Sequence, residues 1–254
     1  MNPRMRKTEE MMPEEKEAAV LLLDCTQGSR KDSFAKGIIA HLKEKERFLA
    51  LLEEYLEQSG RDHGDHGHGH GAKGAHGTMP HDQGSHDHGH HSLSEVHAQI
   101  DALGLGAQVQ SDAYGVYDIL AAAEAKAHEV SVADVHFHEV GSAEAIMWVA
   151  VSCLVMRQLM GERHITHVVA TPVCTGYGYV DCAHGRLPIP APATANVLEG
   201  APTFAGDTEG ELTTPTGAAL VVYYAQQFLD PRLDGTRTSV EDADAYAAVC
   251  VVGA

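Results

Sequence analysis

The sequence predicts an α/β layer fold, a layered sheet with flanking helices, interrupted by a long disordered histidine-rich loop. Three observations carry this. Ala18-Ala-Val-Leu-Leu-Leu-Asp24 is an unbroken apolar run that ends in the polar turn Thr26-Gln-Gly-Ser29, the pattern of a strand buried on both faces. Helix-like and strand-like segments then alternate, which favours a layered α/β arrangement. Between them, residues 61–92 lose all periodicity and consist mainly of glycine, histidine and aspartate, too little apolar surface to offset the entropy of ordering.

The elements follow in order. Residues 1–17 carry both signs of charge and read as a disordered, solvated arm. Residues 18–60 form the first strand–helix part of the domain. Phe34, Ile38, Ile39, Leu42, Leu49, Leu52 and Leu56 recur at helical spacing from Asp32 to Gln58, with Asp32 as the expected N-cap and Gly60 after the end. Residues 93–230 form the remainder. Helices are expected at Ser94–Leu103 and Ser111–His128, and Asp134–Gly141 reads as a short strand or extended turn. Ser142 caps a long buried helix running to Met160, with Glu144 in its first turn. Ile165–Ala170 and Gly176–Asp181 are strand candidates, and Pro188–Pro192 is a stiff loop. Short helices are expected at Ala193–Leu198 and Ala218–Phe228. Residues 231–254 are a tail whose end resembles a strand.

Composition narrows the function. The formal charge of −18 opposes nucleic acid and anionic membrane surfaces and favours cations. Five cysteines (Cys25, Cys153, Cys174, Cys182, Cys250) are an odd set without a C-x-x-C pair, so they read as buried structural thiols in a reducing cytoplasm. The start lacks a targeting pattern. Ala145–Met160 contains Ser152, Arg157 and Gln158 and reads as a buried helix, not a membrane span.

Four motifs carry chemistry. The tract Asp62–His91 holds His63, His66, His68, His70, His86, His88, His90 and His91 amid flexible glycine; neutral imidazole suits nickel, zinc and copper, and the tract does not itself choose among them. The bland alternative is a linker that binds metal incidentally. His136-Phe-His138-Glu139, if extended, puts both imidazoles on one face and Phe137 in the core; this set holds a divalent metal or relays protons, or is a pair of structural histidines. His128 ends a helix and can join them or act as a dipole partner. In Asp181-Cys-Ala-His184-Gly-Arg186-Leu-Pro-Ile-Pro190, prolines and glycine stiffen a loop that presents His184 and Arg186, the latter suited to a bidentate anion contact or to plain solvation. Glu211-Leu-Thr-Thr214-Pro-Thr216-Gly217 is a hydroxyl-rich turn at a helix start, a modest anion site or a cap.

Together, Val135-His-Phe-His-Glu-Val-Gly141, Ala183-His-Gly-Arg-Leu-Pro-Ile-Pro-Ala-Pro-Ala-Thr194, Gly210-Glu-Leu-Thr-Thr-Pro-Thr-Gly217 and Ala123-Glu-Ala resemble the LarC-type nickel insertion proteins of nickel-pincer cofactor biosynthesis. The resemblance runs from about Leu22 to Phe228. It implies a cytoplasmic enzyme, a nickel chelatase of the lyase class, that inserts nickel into a pyridinium bisthiocarboxylate mononucleotide at the expense of CTP. It also implies that the tract recruits nickel and that His128, His136, His138, Glu139 and His184 position or relay it. Arg186, Thr214 and Thr216 would contact the mononucleotide. Three features depart from the family pattern: Asp24-Cys-Thr-Gln-Gly28-Ser-Arg-Lys-Asp32-Ser keeps both aspartates and one glycine of the usual early segment and loses the others, Glu144 and Trp148 stand where two aspartates are usual, and the chain stops before the C-terminal region associated with CTP. A C-terminal partner chain and homo-oligomerisation stay open. So does the alternative of a nickel or zinc reservoir, or a paralogue without turnover.

Overall fold

A computed structural model describes residues 19–62, 91–182, 185–229 and 248–253. The N-terminal arm, the tract histidines from His63 to His90, His184 and most of the tail therefore lie outside the described residues.

The layered α/β expectation holds. Strand β1 (Ala19–Asp24) is central in a parallel sheet of order β11-β4-β1-β12, formed with β4 (Ile165–Ala170), β11 (Gln227–Phe228) and β12 (Ala248–Val251). Leu21 pairs with Val168 on one side and Ala248 on the other. Leu21 and Leu23 are fully buried, as an apolar run without alternation requires. The strand-like end of the sequence thus completes the sheet.

The helix expected over 32–58 is two helices, α1 (Lys31–Ile39) and α2 (Lys45–Asp62). The break has a local cause. The His41 and Leu42 amides donate to Ile38 and Ile39 at 3.1 and 3.0 Å, a tightened turn that buries Leu42. The Lys43 amide freed by the break donates to the Glu162 carboxylate at 2.9 Å. Arg30, not Asp32, is the residue flanking α1, and Asp32 lies inside the first turn, where the helix dipole favours an acid.

Strand β2 (His91–Ser92) leads into α3 (Leu93–Ala102) and then α4 (Ala107–His128). Ser92 caps α3: the Glu95 amide donates to its hydroxyl at 3.3 Å, and its own amide donates to the Glu95 carboxylate at 2.7 Å, a reciprocal capping box. In 131–141 the strand character is confined to β3 (His136–Phe137), between 3-10 turns at Val132–Asp134 and Glu139–Gly141. Helix α5 (Ala143–Arg163) is capped by Ser142, whose hydroxyl accepts from the Ala145 amide at 3.2 Å. Among the described residues α5 is the one helix long and apolar enough to cross a membrane. It packs on α1, α4 and β4 as the core helix of the fold.

The second half is a run of short pairings: β5 (Val173–Cys174) with β9 (Thr203–Phe204), β6 (Gly176–Tyr177) with β10 (Gly210–Glu211), and β7 (Tyr179–Cys182) with β8 (Gly185–Pro188). The strand expected over 176–181 breaks at Gly178, which has a φ of 100°. Helix α6 (Pro192–Val197) follows, then α7 (Pro215–Tyr224), which stops short of the expected Phe228. The chain instead extends into β11, where pairing with β4 replaces the last helical turn. Helices α4, α5 and α7 meet at buried Asp112, which accepts from Arg157 at 2.6 and 2.5 Å and from the Tyr223 and Tyr224 hydroxyls at 3.0 and 2.9 Å.

Candidate functional site

The loops that leave the carboxyl ends of β1 and β4 are laced to the segment before α7. The Ser29 amide donates to the Leu212 carbonyl and the Thr213 hydroxyl at 3.1 and 3.0 Å, and the Thr214 amide donates to the Ser29 carbonyl at 3.1 Å. The Ser29 hydroxyl donates to the Gly217 carbonyl at 3.0 Å. The Thr213 hydroxyl reaches the Cys174 carbonyl at 2.7 Å, and Cys25 is tied to Thr171 at 2.8 Å. Ser29 and Thr213 are both fully buried, so this lacing is fixed backbone, and it sets the start of α1 beside the start of α7. Thr214 caps α7 by accepting from the Gly217 amide at 3.3 Å, with Pro215 opening the helix.

A cleft of about 340 Å³ opens over this junction, a size that suits a small-molecule ligand. Two kinds of wall face it. One carries His128 at the end of α4, with Glu124 one turn earlier, and the segment His136, His138, Glu139 and Val140. The other carries Arg30, Lys31 and Asp32 at the start of α1, Ala145 in the first turn of α5, and Thr214, Pro215 and Thr216 at the start of α7. Glu211 and the hairpin residues Val180, Asp181, Cys182 and Leu187 close the side. The carbonyl end of α4 favours a cation, while the amide ends of α1, α5 and α7 favour negative charge.

The cleft thus gathers His128, His136, His138, Glu139, Thr214 and Thr216 from three separate stretches of sequence. Phe137 is 1% exposed, so it anchors the segment in the core while both flanking imidazoles line the cleft. Arg186 is placed elsewhere: it pairs with Asp181 across the hairpin, and its guanidinium stacks 4.6 Å over the Tyr179 ring, outside the cleft lining. His91, the last histidine of the tract, pairs with Phe137 and Ser92 with His136 in the β2–β3 ladder. The tract is therefore joined by backbone hydrogen bonds to the His-Phe-His segment.

Charge interactions tighten the site. Burial pushes the Glu211 carboxyl up, Glu139 adds to the rise, and Arg30 opposes it. Burial also works to raise Asp32, but its hydrogen bond to Lys36 and the charges of Lys36 and Arg30 outweigh that and hold it low. Glu95 is held low by the Ser92 amide and hydroxyl, with His91 and His136 contributing. His128 lies 3.6 Å from Glu124. Among the described residues no group of three or more His, Cys, Asp or Glu side chains is set to hold a metal ion.

Arg30, Lys31, Glu124 and Glu211 were not singled out from sequence as site residues. The available signal was position: Arg30 and Lys31 follow the first buried parallel strand, and ligands of parallel sheets collect outside the carboxyl ends of the strands. Glu124 and Glu211 carry a second signal, since they lie in the stretches Ala123-Glu-Ala and Gly210-Glu-Leu that resemble the family.

The fold and cleft define an α/β protein with an imidazole- and carboxylate-lined cleft. The profile of the family described as nickel insertion protein matches residues 21–240. The chain belongs to this family. It is 40% identical over 156 residues to the pyridinium-3,5-bisthiocarboxylic acid mononucleotide nickel insertion protein of Desulfitobacterium hafniense, covering 61% of this chain and 38% of that protein. It is 41% identical over 128 residues to the protein of the same name from Staphylococcus saprophyticus, covering 50% and 32%. A putative nickel insertion protein of Maridesulfovibrio salexigens is 36% identical over 149 residues, covering 58% and 35%. The chain spans less than two fifths of the length of these relatives. No solved structure matches it.

Proposed function

We propose that this chain receives nickel in the cleft and presents it for insertion into a pyridinium bisthiocarboxylate mononucleotide, as a chelatase of the lyase class acting in the cytoplasm. The observation that carries this reading is the meeting of His128, His136, His138 and Glu139 with the α7 start in one cleft. Nickel is the substrate ion here. Imidazole and carboxylate donors suit it, and the α4 carbonyl end adds to the attraction. Thr214 and Thr216 line the opposite wall, where hydroxyls and amides suit the mononucleotide. His184, which lies outside the described residues, is included in the set on the family resemblance alone.

The histidine tract is the feeder in this scheme. Its last residue is zipped to the His-Phe-His segment, so ions collected along it are held close to the cleft at high effective concentration. CTP, implied by the family resemblance, would be used by the part of the relatives that this chain does not span, supplied as a partner region. Self-association is compatible with the scheme and not required by it.

The test is nickel insertion assayed with nickel, CTP and a C-terminal region of a relative supplied. Replacing His136 and His138 together with Ala should abolish insertion while the chain stays folded; retained insertion would remove the segment from the mechanism. Arg186→Ala should weaken mononucleotide binding through an outer contact, and unchanged affinity would remove Arg186 from the site. A reservoir without turnover is the second reading. The lack, among the described residues, of three converged metal ligands favours it. No insertion by the intact chain under these conditions, alongside retained nickel binding, would establish it.

A further inference from the structure

Among the described residues that line the cleft, Lys31 and Arg30 are the only Lys or Arg side chains, and the other ionisable groups are carboxylates, imidazoles and a thiol. A ligand carrying a phosphate therefore finds its positive charge at the α1 start, where Arg30 lies 3.8 Å from Asp32 and Lys31 stands next to it in the chain. Lys31 is also braced. Its ammonium lies 3.2 Å from the Glu144 carboxylate, and the same carboxylate oxygen accepts from the Trp148 indole N–H at 3.2 Å. Trp148 is 3% exposed, so its N–H is a fixed donor that sets where Glu144 lies, and Glu144 in turn sets Lys31. The Lys36 ammonium sits 5.8 Å over the Trp148 ring and 3.2 Å from Asp32, a cation over the buried indole.

We infer that Lys31, assisted by Arg30, is the anion-holding residue that fixes the phosphate of the mononucleotide at the α1 end of the cleft, with Glu144 and Trp148 as its positioning residues. The inference deepens the proposed function and rests on it. A single ammonium–phosphate contact with a pre-positioned lysine gives a charge-assisted hydrogen bond. Trp148, unable to serve as a carboxylate, acquires a role as the fixed end of the Trp148–Glu144–Lys31 chain.

The experiment is calorimetric titration of the full chain with three separate probes: nicotinate mononucleotide, its dephosphorylated riboside, and nickel. Lys31→Met should weaken the mononucleotide about tenfold or more, leave the riboside unchanged, and leave nickel unchanged; Lys31→Arg should recover most of the loss. Trp148→Phe should give a smaller loss confined to the mononucleotide, because the ring stays and the donor goes. Equal affinity of Lys31→Met and the parent chain for the mononucleotide, or an equal loss for the riboside, would overturn the inference while leaving the proposed function standing. Failure of the parent chain to bind the mononucleotide at all would overturn the inference, and the insertion assay would decide the proposed function separately.

Discussion

At Gly217 a side chain has nowhere to go, because a Cβ there would collide with the Ser29 carbonyl, and at Gly28 (φ 96°) it would collide with the Leu212 carbonyl. These glycines permit the lacing that sets α1 beside α7, so Gly217→Ala should lower stability by about 2 kcal/mol or more, read as a lower midpoint in urea. It should also disturb the cleft together with stability, whereas cleft side-chain variants should leave stability unchanged. The thiols make a second residue-level test. Burial pushes Cys25 and Cys153 up, the latter to about 12 from an ordinary 9. Both are neutral in the fold and ionise on unfolding, so their contribution is intact below pH 9 and stability falls as pH rises from there toward 12. Cys182 is half-buried at the cleft edge. Alkylation at pH 8 should modify Cys182 in the native chain and reach Cys25 and Cys153 only on unfolding, as mass spectrometry after a short pulse would show.

The elements differ in how well they can be read from sequence, for physical reasons. The strand Ala19–Asp24 and the helix after Ser142 were legible because burial on all sides leaves an unbroken apolar signature and the caps are local. Removing the Ser142 hydroxyl should cost about 1 kcal/mol, and an unchanged thermal midpoint in Ser142→Ala would show that the cap does not contribute. The split of α1 from α2 was not legible: it depends on Glu162, more than a hundred residues away, accepting the Lys43 amide. Likewise the end of α7 is set by pairing of β11 with β4, a tertiary preference that overrides helical periodicity. In the site, His136, His138, Glu139 and the Thr-Pro-Thr turn could be named because their patterns are compact. Arg30 and Lys31 enter the cleft only through the folding of distant segments. The β2–β3 ladder that joins the tract to His136 was equally hidden, since two-residue strands leave no periodicity to detect.

At the scale of the whole molecule, the fold sorts charge. A formal charge of −18 favours cations over anions, and the cleft brings His128, His136, His138 and Glu139 together with Arg30 and Lys31 at the start of α1. Asp112 holds the three helices behind the cleft together; Asp112→Ala would leave the Arg157 guanidinium and two tyrosine hydroxyls without their shared acceptor and should cost roughly 3 kcal/mol or more, measured by denaturant unfolding. In the proposed function nickel is presented at the cleft that His136 and His138 line. The most direct measurement replaces the tract histidines from His63 to His90 with serine and titrates the full chain with nickel, with and without His136→Ala and His138→Ala. The account predicts that bound nickel falls to about one ion per chain without the tract histidines and that this remaining ion is lost when His136 and His138 are also removed. No binding once the tract histidines are gone, or a remaining ion indifferent to His136 and His138, would contradict it.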